Sequence, residues 1–101
     1  MIIYSVTCLV DDSVREEWLT WMKVEHLPEV MATGKFISHE MFQIDPHDVS
    51  DTGTSFNIQY RLKTRKDLQD YSVNYGPALK EKTLAKYGDK VIAFRTVLEA
   101  L

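Results

Sequence analysis

The chain has 101 residues, of which 45% are hydrophobic and 27% are charged, and its formal net charge is -3 at pH 7. This length predicts one domain that spans residues 1–101. No segment approaches the roughly 20 consecutive apolar residues that a membrane span requires, and the negative charge provides no general attraction for nucleic acid or anionic lipid. With a single cysteine and no signal-peptide pattern, we expect a cytoplasmic protein with no membrane or nucleic-acid partner.

The first part of the chain predicts a strand followed by a helix. Residues 2–10 are rich in β-branched and apolar side chains, which favour a strand. Ser13 and Glu16 have the spacing of a capping box, so we expect a helix from residue 14 to about residue 27. Pro28 has no amide hydrogen, and the helix must therefore end there or kink into one more turn.

The remainder of the chain predicts two strands, a second helix and a last strand. Residues 35–44 and 54–62 have strand patterns and are separated by turn residues. A second helix is expected to begin after Thr64, which can cap it, and to end at Gly88. Residues 90–98 predict the fourth strand.

The element order β-α-β-β-α-β is the ferredoxin-like pattern of an α+β protein. Right-handed crossovers then predict a four-stranded antiparallel sheet with strand order 4-1-3-2 and both helices on one face. The third strand has an apolar side that should meet the helices and a polar side that should remain open. In matching register, the open face would carry, from the other strands, Ile3, Ser5, Thr7 and Leu9, then Ile37, His39 and Met41, and finally Ala93, Arg95 and Val97. Such a mixed face favours a homodimer in which two sheets pack by two-fold symmetry.

The segment between Trp18 and Pro28 places two indoles, a carboxylate and an imidazole on one short helix. At 100° per residue, Trp18, Trp21 and Met22 share a stripe with Glu25, so a carboxylate lies where an apolar residue would complete the core face. The stripe predicts a pocket for a small apolar or aromatic ligand with these three apolar residues in its wall. The same residues at helical spacing also fit an ordinary core.

Two residues of this helix are candidate catalytic groups. His26 has a side chain that titrates near working pH and is suited to act as a general base, but a histidine at this position also fits a cap at the helix end. Burial of Glu25 beside the indoles would favour its protonated form and make it a usable acid or base. In the alternative, Glu25 bonds across the fold or reaches solvent.

Cationic side chains of the predicted open face are candidate ligand-binding groups. His39 and Arg95, together with Arg61, are suited to bind a carboxylate or enolate oxygen. Their alternative role is to line a hydrated dimer interface. A single catalytic site would require these groups to converge with His26, whereas the prediction places them on opposite faces of the sheet.

Other motifs argue against cofactor and metal chemistry. The chain has no Gly-rich phosphate loop, no CxxC and no nucleophile elbow, and its third strand lacks the glycine of an RNA-recognition motif, so no cofactor is expected. Cys8 lies on an apolar strand and is expected to be a small buried hydrophobic residue. The turn between the second and third strands contains metal-type ligands, but their spacing matches no calcium or zinc signature and no metal is expected. These ligands are Asp45, His47, Asp48 and Asp51.

Several short motifs resemble one known group of proteins. They are Trp18-x-x-Trp21-Met22-x-x-x-His26-x-Pro28, Thr33-Gly34-Lys35-Phe36, Pro77-Ala78-Leu79, Gly88-Asp89-Lys90 and Phe94-Arg95-Thr96. Over nearly the whole chain, they resemble a small bacterial family described only as a domain of unknown function. By similarity, that family belongs to the dimeric α+β barrel superfamily, whose members pair two ferredoxin-like sheets into a barrel. The resemblance implies that His26 faces a ligand cavity.

The superfamily includes cofactor-independent monooxygenases, polyketide cyclases, lactone isomerases and haem-degrading enzymes, so the resemblance selects no chemistry. Its haem binders generally supply an axial ligand from the second helix, where this chain has Asn74 and Tyr75 but no histidine. Three functions follow for the chain. The leading one is a homodimer that binds a small, partly apolar or aromatic ligand. The second is a cofactor-independent acid/base enzyme of the monooxygenase, cyclase or isomerase type that uses His26 or Glu25, and the third is a purely structural dimer.

Overall fold

The structure, a computed structural model, describes residues 1–45 and 53–101. Its four strands form one antiparallel sheet in the order β2-β3-β1-β4, which is the predicted order read from the opposite edge. The ferredoxin-like α+β fold is therefore confirmed. Its helices and strands are β1 Ile2–Asp11, α1 Arg15–Trp21, α2 Leu27–Ala32, β2 Ser38–Gln43, β3 Gly53–Leu62, α3 Arg65–Asn74, α4 Gly76–Tyr87 and β4 Val91–Glu99.

A π-helical turn at Met22–His26 joins α1 to α2. The amide of Leu27 donates to the carbonyl of Met22, five residues earlier, so this turn is one residue wider than a turn of α-helix. Pro28 lies in the first turn of α2, where its missing amide hydrogen costs least. The helix therefore continues past the proline, which is the second of the two outcomes that the sequence left open. Within the described ranges, no helix has the length and apolar character needed to cross a membrane.

Of the two helix caps predicted from the sequence, the one before α1 is wrong and the one before α3 is confirmed. The capping box of Ser13 and Glu16 is wrong, because a 3-10 turn precedes α1 and Asp11 accepts the Ser13 amide at 2.9 Å. The cap of α3 is confirmed, since the Thr64 hydroxyl accepts the Asp67 amide at 3.2 Å.

The central strands set the two faces of the sheet. The register of β1 with β3 places Tyr4 opposite Tyr60 and Cys8 opposite Phe56, on the side that the helices cover. Cys8 is buried, as predicted, and burial raises the pKa of its thiol to about 11, which keeps it protonated. The apolar side of β3 is confirmed as the core face; it consists of Phe56, Ile58, Tyr60 and Leu62, all buried.

The predicted faces of both edge strands are wrong by one residue. In β4, Arg95 pairs with Val6 and therefore lies on the helix-covered side, together with Ala93 and Val97. In β2, His39 pairs with Tyr60 and Met41 with Ile58, on that same side, while Ile37 precedes the strand. Both edge strands carry apolar residues in each alternate set, so the pattern does not fix the register, and a shift of one residue exchanges the faces.

The open face is polar near its centre and apolar along β4. The Asn57 amide donates to the Ser5 hydroxyl at 2.8 Å and to the Thr7 hydroxyl at 3.1 Å. Arg61 forms an ion pair with Glu40 at 2.6 Å. Beside these polar groups lie the exposed apolar residues of this face near β4, which are Leu9, Ile92, Phe94 and Leu98.

Candidate functional site

A cavity of about 460 Å³ lies between the helix-covered face of the sheet and the helices. This volume falls in the range of about 300–1,000 Å³ that is typical of small-molecule sites. Apolar groups dominate its inner wall, and they come from β1, β3, α4 and the first helical unit. Members of this wall are Val6, Cys8, Trp18, Met22, Ile58 and Leu79.

His26 lines this cavity from the π-helical turn. Its imidazole stacks on the indole of Trp21, with ring centroids 4.8 Å apart and an angle of 26° between the planes. Burial lowers the pKa of His26; the Glu29 carboxylate acts in the opposite direction, and the charges of Arg95 and Lys82 lower it further. The imidazole is therefore neutral at neutral pH and is able to accept a proton.

Arg95 lines the same cavity, because the register of β4 turns it toward the helices. Its charge acts on the pKa of His26, and the two side chains, which the sequence prediction placed on opposite faces of the sheet, line one cavity. Burial raises the pKa of the Tyr4 phenol, and the nearby positive charge of Arg95 partly offsets this effect. No Asp or Glu in the described part of the chain lies within 4.0 Å of the guanidinium to form an ion pair.

Three tyrosines, Tyr4, Tyr60 and Tyr71, contribute further polar groups to the cavity, which Ser72, Lys80 and Thr83 also line. The ring of Tyr4 lies 6.2 Å from that of Tyr60 and 5.9 Å from that of Tyr71. Burial raises the pKa of all three phenols, to about 12 for Tyr71. Sequence reasoning placed Tyr60 on the core side without assigning it a role. A phenol on a helix-facing strand position was nevertheless a signal, since a buried hydroxyl needs a polar partner.

Trp18 and Met22 lie in the cavity wall, and their predicted role in binding a ligand stays a prediction. Trp18 is fully buried, and its indole packs 5.1 Å from the ring of Phe56. The Trp18 Nε1 group is also buried, and it has no hydrogen-bond partner among the described residues.

Glu25, Trp21 and His39 do not line the cavity. Glu25 is exposed and borders a shallow groove on the outer surface with Trp21 and Lys86, which corresponds to the alternative in which Glu25 reaches solvent. The π-helical turn causes this exposure, because a wider turn rotates Glu25 away from the stripe that a regular helix would give it. His39 is exposed on β2, and its ring lies 6.4 Å from that of Tyr60.

Metal-type ligands in the turn between β2 and β3 were the other candidate cluster. His47, Asp48 and Asp51 lie outside the described residues, and Asp45 is the last residue before that gap. Over residues 1–45 and 53–101, no three His, Cys, Asp or Glu side chains are grouped so that they could hold a metal ion.

The sheet order and the helices on one face define a ferredoxin-like α+β protein. The chain belongs to the family DUF4286, a domain of unknown function, whose sequence profile matches residues 1–101. This membership agrees with the resemblance seen in the sequence motifs. A search of curated proteins found no match to the chain.

Solved structures of three other proteins are similar over the whole chain. HapK from Hahella chejuensis has a TM-score of 0.71 at 7% identity, with 100% of this chain and 93% of that chain covered. A dimeric ferredoxin-like protein from an uncultured marine organism has a TM-score of 0.68 at 14% identity, with coverages of 100% and 95%. An antibiotic biosynthesis monooxygenase has a TM-score of 0.67 at 12% identity, with coverages of 100% and 99%. At these identities, the similarity establishes the fold alone.

Proposed function

We propose that this protein is a homodimer that binds a small, partly apolar or aromatic ligand in the cavity between its helices and its sheet. One observation carries the proposal: a single cavity of about 460 Å³ combines an apolar wall with the side chains of His26 and Arg95. An apolar enclosure with a few convergent polar groups is the usual form of a small-molecule site. A purely structural dimer would need no such space.

The proposed dimer uses the open face of the sheet. Phe94 and Ile92 are 62% and 59% exposed there, and they adjoin Leu9 and Leu98 to form an apolar strip. A second copy related by two-fold symmetry would cover this strip. The hydrogen bonds of Asn57 to Ser5 and Thr7 would then lie at the polar centre of the interface. One protein of the same fold is described as dimeric, which is consistent with this assembly.

A variant that fills the cavity tests the ligand proposal. Thr83 lines the cavity from α4, and Thr83→Phe would occupy part of the space. Glu81→Phe introduces the same side chain on the same helix at an exposed position outside the lining. With 2-naphthol as the probe, calorimetry should show binding to the wild type and to Glu81→Phe, and a loss of at least about tenfold in Thr83→Phe. Equal affinity in the two variants would contradict the proposal.

A second candidate function is cofactor-independent acid/base catalysis in this cavity. It is favoured by the lowered pKa of His26, which leaves a neutral imidazole in the same space as the Arg95 cation. His26 would remove a proton from an activated carbon, and Arg95 would stabilise the oxyanion that forms. Glu25 has no part in this mechanism, because it is exposed outside the cavity lining.

Deuterium exchange at the central carbon of benzoylacetone, followed by NMR, tests this second function. The wild type should accelerate the exchange and His26→Gln should not. His39→Gln removes an exposed imidazole outside the cavity and should retain the wild-type rate. An unchanged rate in His26→Gln would exclude His26 as the base.

A further inference from the structure

One end of the cavity contains a group of hydrogen-bond donors with too few acceptors. The group consists of the Arg95 guanidinium and the phenols of Tyr4, Tyr60 and Tyr71, all of which line the cavity. Tyr60 and Tyr71 are only 4% and 6% exposed. The described residues nevertheless provide no hydrogen-bond partner for either of these two hydroxyls.

The hydroxyls of Tyr60 and Tyr71 also remain accessible to solvent. Among the described residues, the side-chain atoms that are both sealed from solvent and without a partner belong to Arg15, Trp18 and Tyr87. The hydroxyls of Tyr60 and Tyr71 are not in that set, although both residues are buried. Both hydroxyls therefore keep solvent-accessible surface, and both residues line the cavity.

The chemistry of this group requires an acceptor from elsewhere. Burial raises the pKa of each phenol, so all three keep their protons and act as donors at neutral pH. A guanidinium has five N–H donors and no acceptor. Among residues 1–45 and 53–101, no carboxylate lines the cavity and none lies within 4.0 Å of Arg95 to form an ion pair. The cavity lining therefore carries two cations, Arg95 and Lys80, both on exposed residues and neither in an ion pair among the described residues, together with several hydrogen-bond donors.

We propose that the ligand of this cavity is an aromatic anion, whose charged oxygen binds Arg95 and is also contacted by Tyr60 and Tyr71. The ring of the ligand would lie against the apolar wall that includes Met22 and Ile58. This inference rests on the proposed function and adds the charge of the ligand and the residues that select it. A carboxylate and an enolate both supply such an oxygen, so both are tested.

Two pairs of probes isolate the charge. The carboxylate 2-naphthoate is compared with the neutral 2-naphthamide, and the enolate of 2-hydroxy-1,4-naphthoquinone with the neutral 2-methoxy-1,4-naphthoquinone. Calorimetry at pH 7.5 should show that at least one anion binds tenfold or more tightly than its neutral partner, since hydrogen bonds between charged groups are the strongest. The pair that shows this preference distinguishes a carboxylate ligand from an enolate ligand.

Variants test which residues provide the selection. Arg95→Met should lower the affinity for the preferred anion about tenfold or more and leave the affinity for its neutral partner nearly unchanged. Tyr60→Phe and Tyr71→Phe remove one hydroxyl each. Each variant should lower the affinity for the anion by about fivefold, because one hydrogen bond is lost. Arg65→Met and Tyr75→Phe are matched controls, because both residues are exposed and neither lines the cavity. Both controls should retain the wild-type affinity.

The outcomes separate this inference from the function on which it rests. If each neutral probe binds as tightly as its anion, or if Arg95→Met retains the preference for the anion, the inference is wrong and the ligand cavity still stands. If no probe binds and Thr83→Phe changes nothing, the ligand cavity itself is wrong and the inference fails with it. Melting temperatures of the Phe variants show whether a loss of affinity reflects a loss of folding.

Discussion

The indole of Trp21 stacks on the imidazole of His26, with ring centroids 4.8 Å apart, and it packs edge-to-face with the ring of Tyr87, with centroids 5.4 Å apart. These contacts link the π-helical turn to the end of α4. Trp21 does not line the cavity, but its indole covers the outer side of His26, which does. We therefore expect Trp21 to position His26, whereas the ligand-binding role predicted for Trp21 stays a prediction.

Removal of this cover should change the titration of His26. In Trp21→Ala, the pKa of His26 should rise toward its ordinary value of about 6.5, because burial is the main cause that lowers it. NMR titration of the imidazole Cε1–Hε1 group measures this directly. Val24→Ala, on the same turn but at a position 67% exposed, is the matched control. A pKa of His26 that is unchanged in Trp21→Ala would show that the indole does not shield the imidazole.

The lowered pKa of His26 also predicts how stability depends on pH. Between the pKa of folded His26 and about 6.5, the unfolded chain binds a proton that the folded chain does not bind. The contribution of His26 to the free energy of unfolding is therefore complete above about pH 6.5 and decreases as the pH falls through this window.

Urea unfolding at a series of pH values, at one protein concentration, checks this expectation in the wild type and in His26→Gln. The free energy of unfolding of the wild type relative to His26→Gln should decrease as the pH falls below about 6.5. The variant His39→Gln should retain the low-pH loss, because it leaves His26 in place. A difference between wild type and His26→Gln that is independent of pH would contradict the prediction.

Much of the fold could be predicted because several local signals agree. Strand patterns, helix caps and the β-α-β-β-α-β order lead to one sheet topology, and the alternation in β3 assigns its buried side correctly. The faces of the edge strands were predicted wrongly, because each alternate set of side chains in β2 and β4 contains both apolar and polar residues. Their faces depend on pairing with the central strands, as the pairs Arg95 with Val6 and His39 with Tyr60 illustrate.

The candidate site was predicted in part. Trp18, Met22 and His26 lie in the cavity lining, whereas Trp21 and Glu25 do not. Glu25 lies in a π-helical turn, which a period of 3.6 residues does not describe. Arg95 was proposed as a ligand-binding residue because a guanidinium can bind an oxyanion. It lines the cavity because it pairs with Val6, whereas the predicted register placed it on the open face. The phenols of Tyr60 and Tyr71 were overlooked, since a tyrosine on an apolar face resembles ordinary core in sequence.

Backbone conformation at Gly34 gives a stability prediction that involves no side-chain contact. Gly34 has φ 75°, in the left-handed region, and an added Cβ would have no atom within 4 Å. Gly34→Ala should therefore lower the free energy of unfolding by about 1 kcal/mol through backbone strain alone. Gly34→Asn should cost less, because asparagine adopts this conformation more readily. Urea unfolding measures both variants, and a loss well above 2 kcal/mol in Gly34→Ala would indicate a steric clash instead.

The apolar strip on the open face predicts the effect of a charge on assembly. Phe94 is 62% exposed and pairs across the sheet with Thr7, so Phe94→Glu removes little core packing within one chain. In the proposed dimer, two-fold symmetry would bury two added carboxylates in one interface, where unpaired charges are strongly unfavourable. Sedimentation velocity should therefore show a dimer for the wild type and a monomer for Phe94→Glu at equal concentration. Val73→Glu, at a position 67% exposed on α3, should remain dimeric. A monomeric wild type, or a dimeric Phe94→Glu, would show that this face is not the interface.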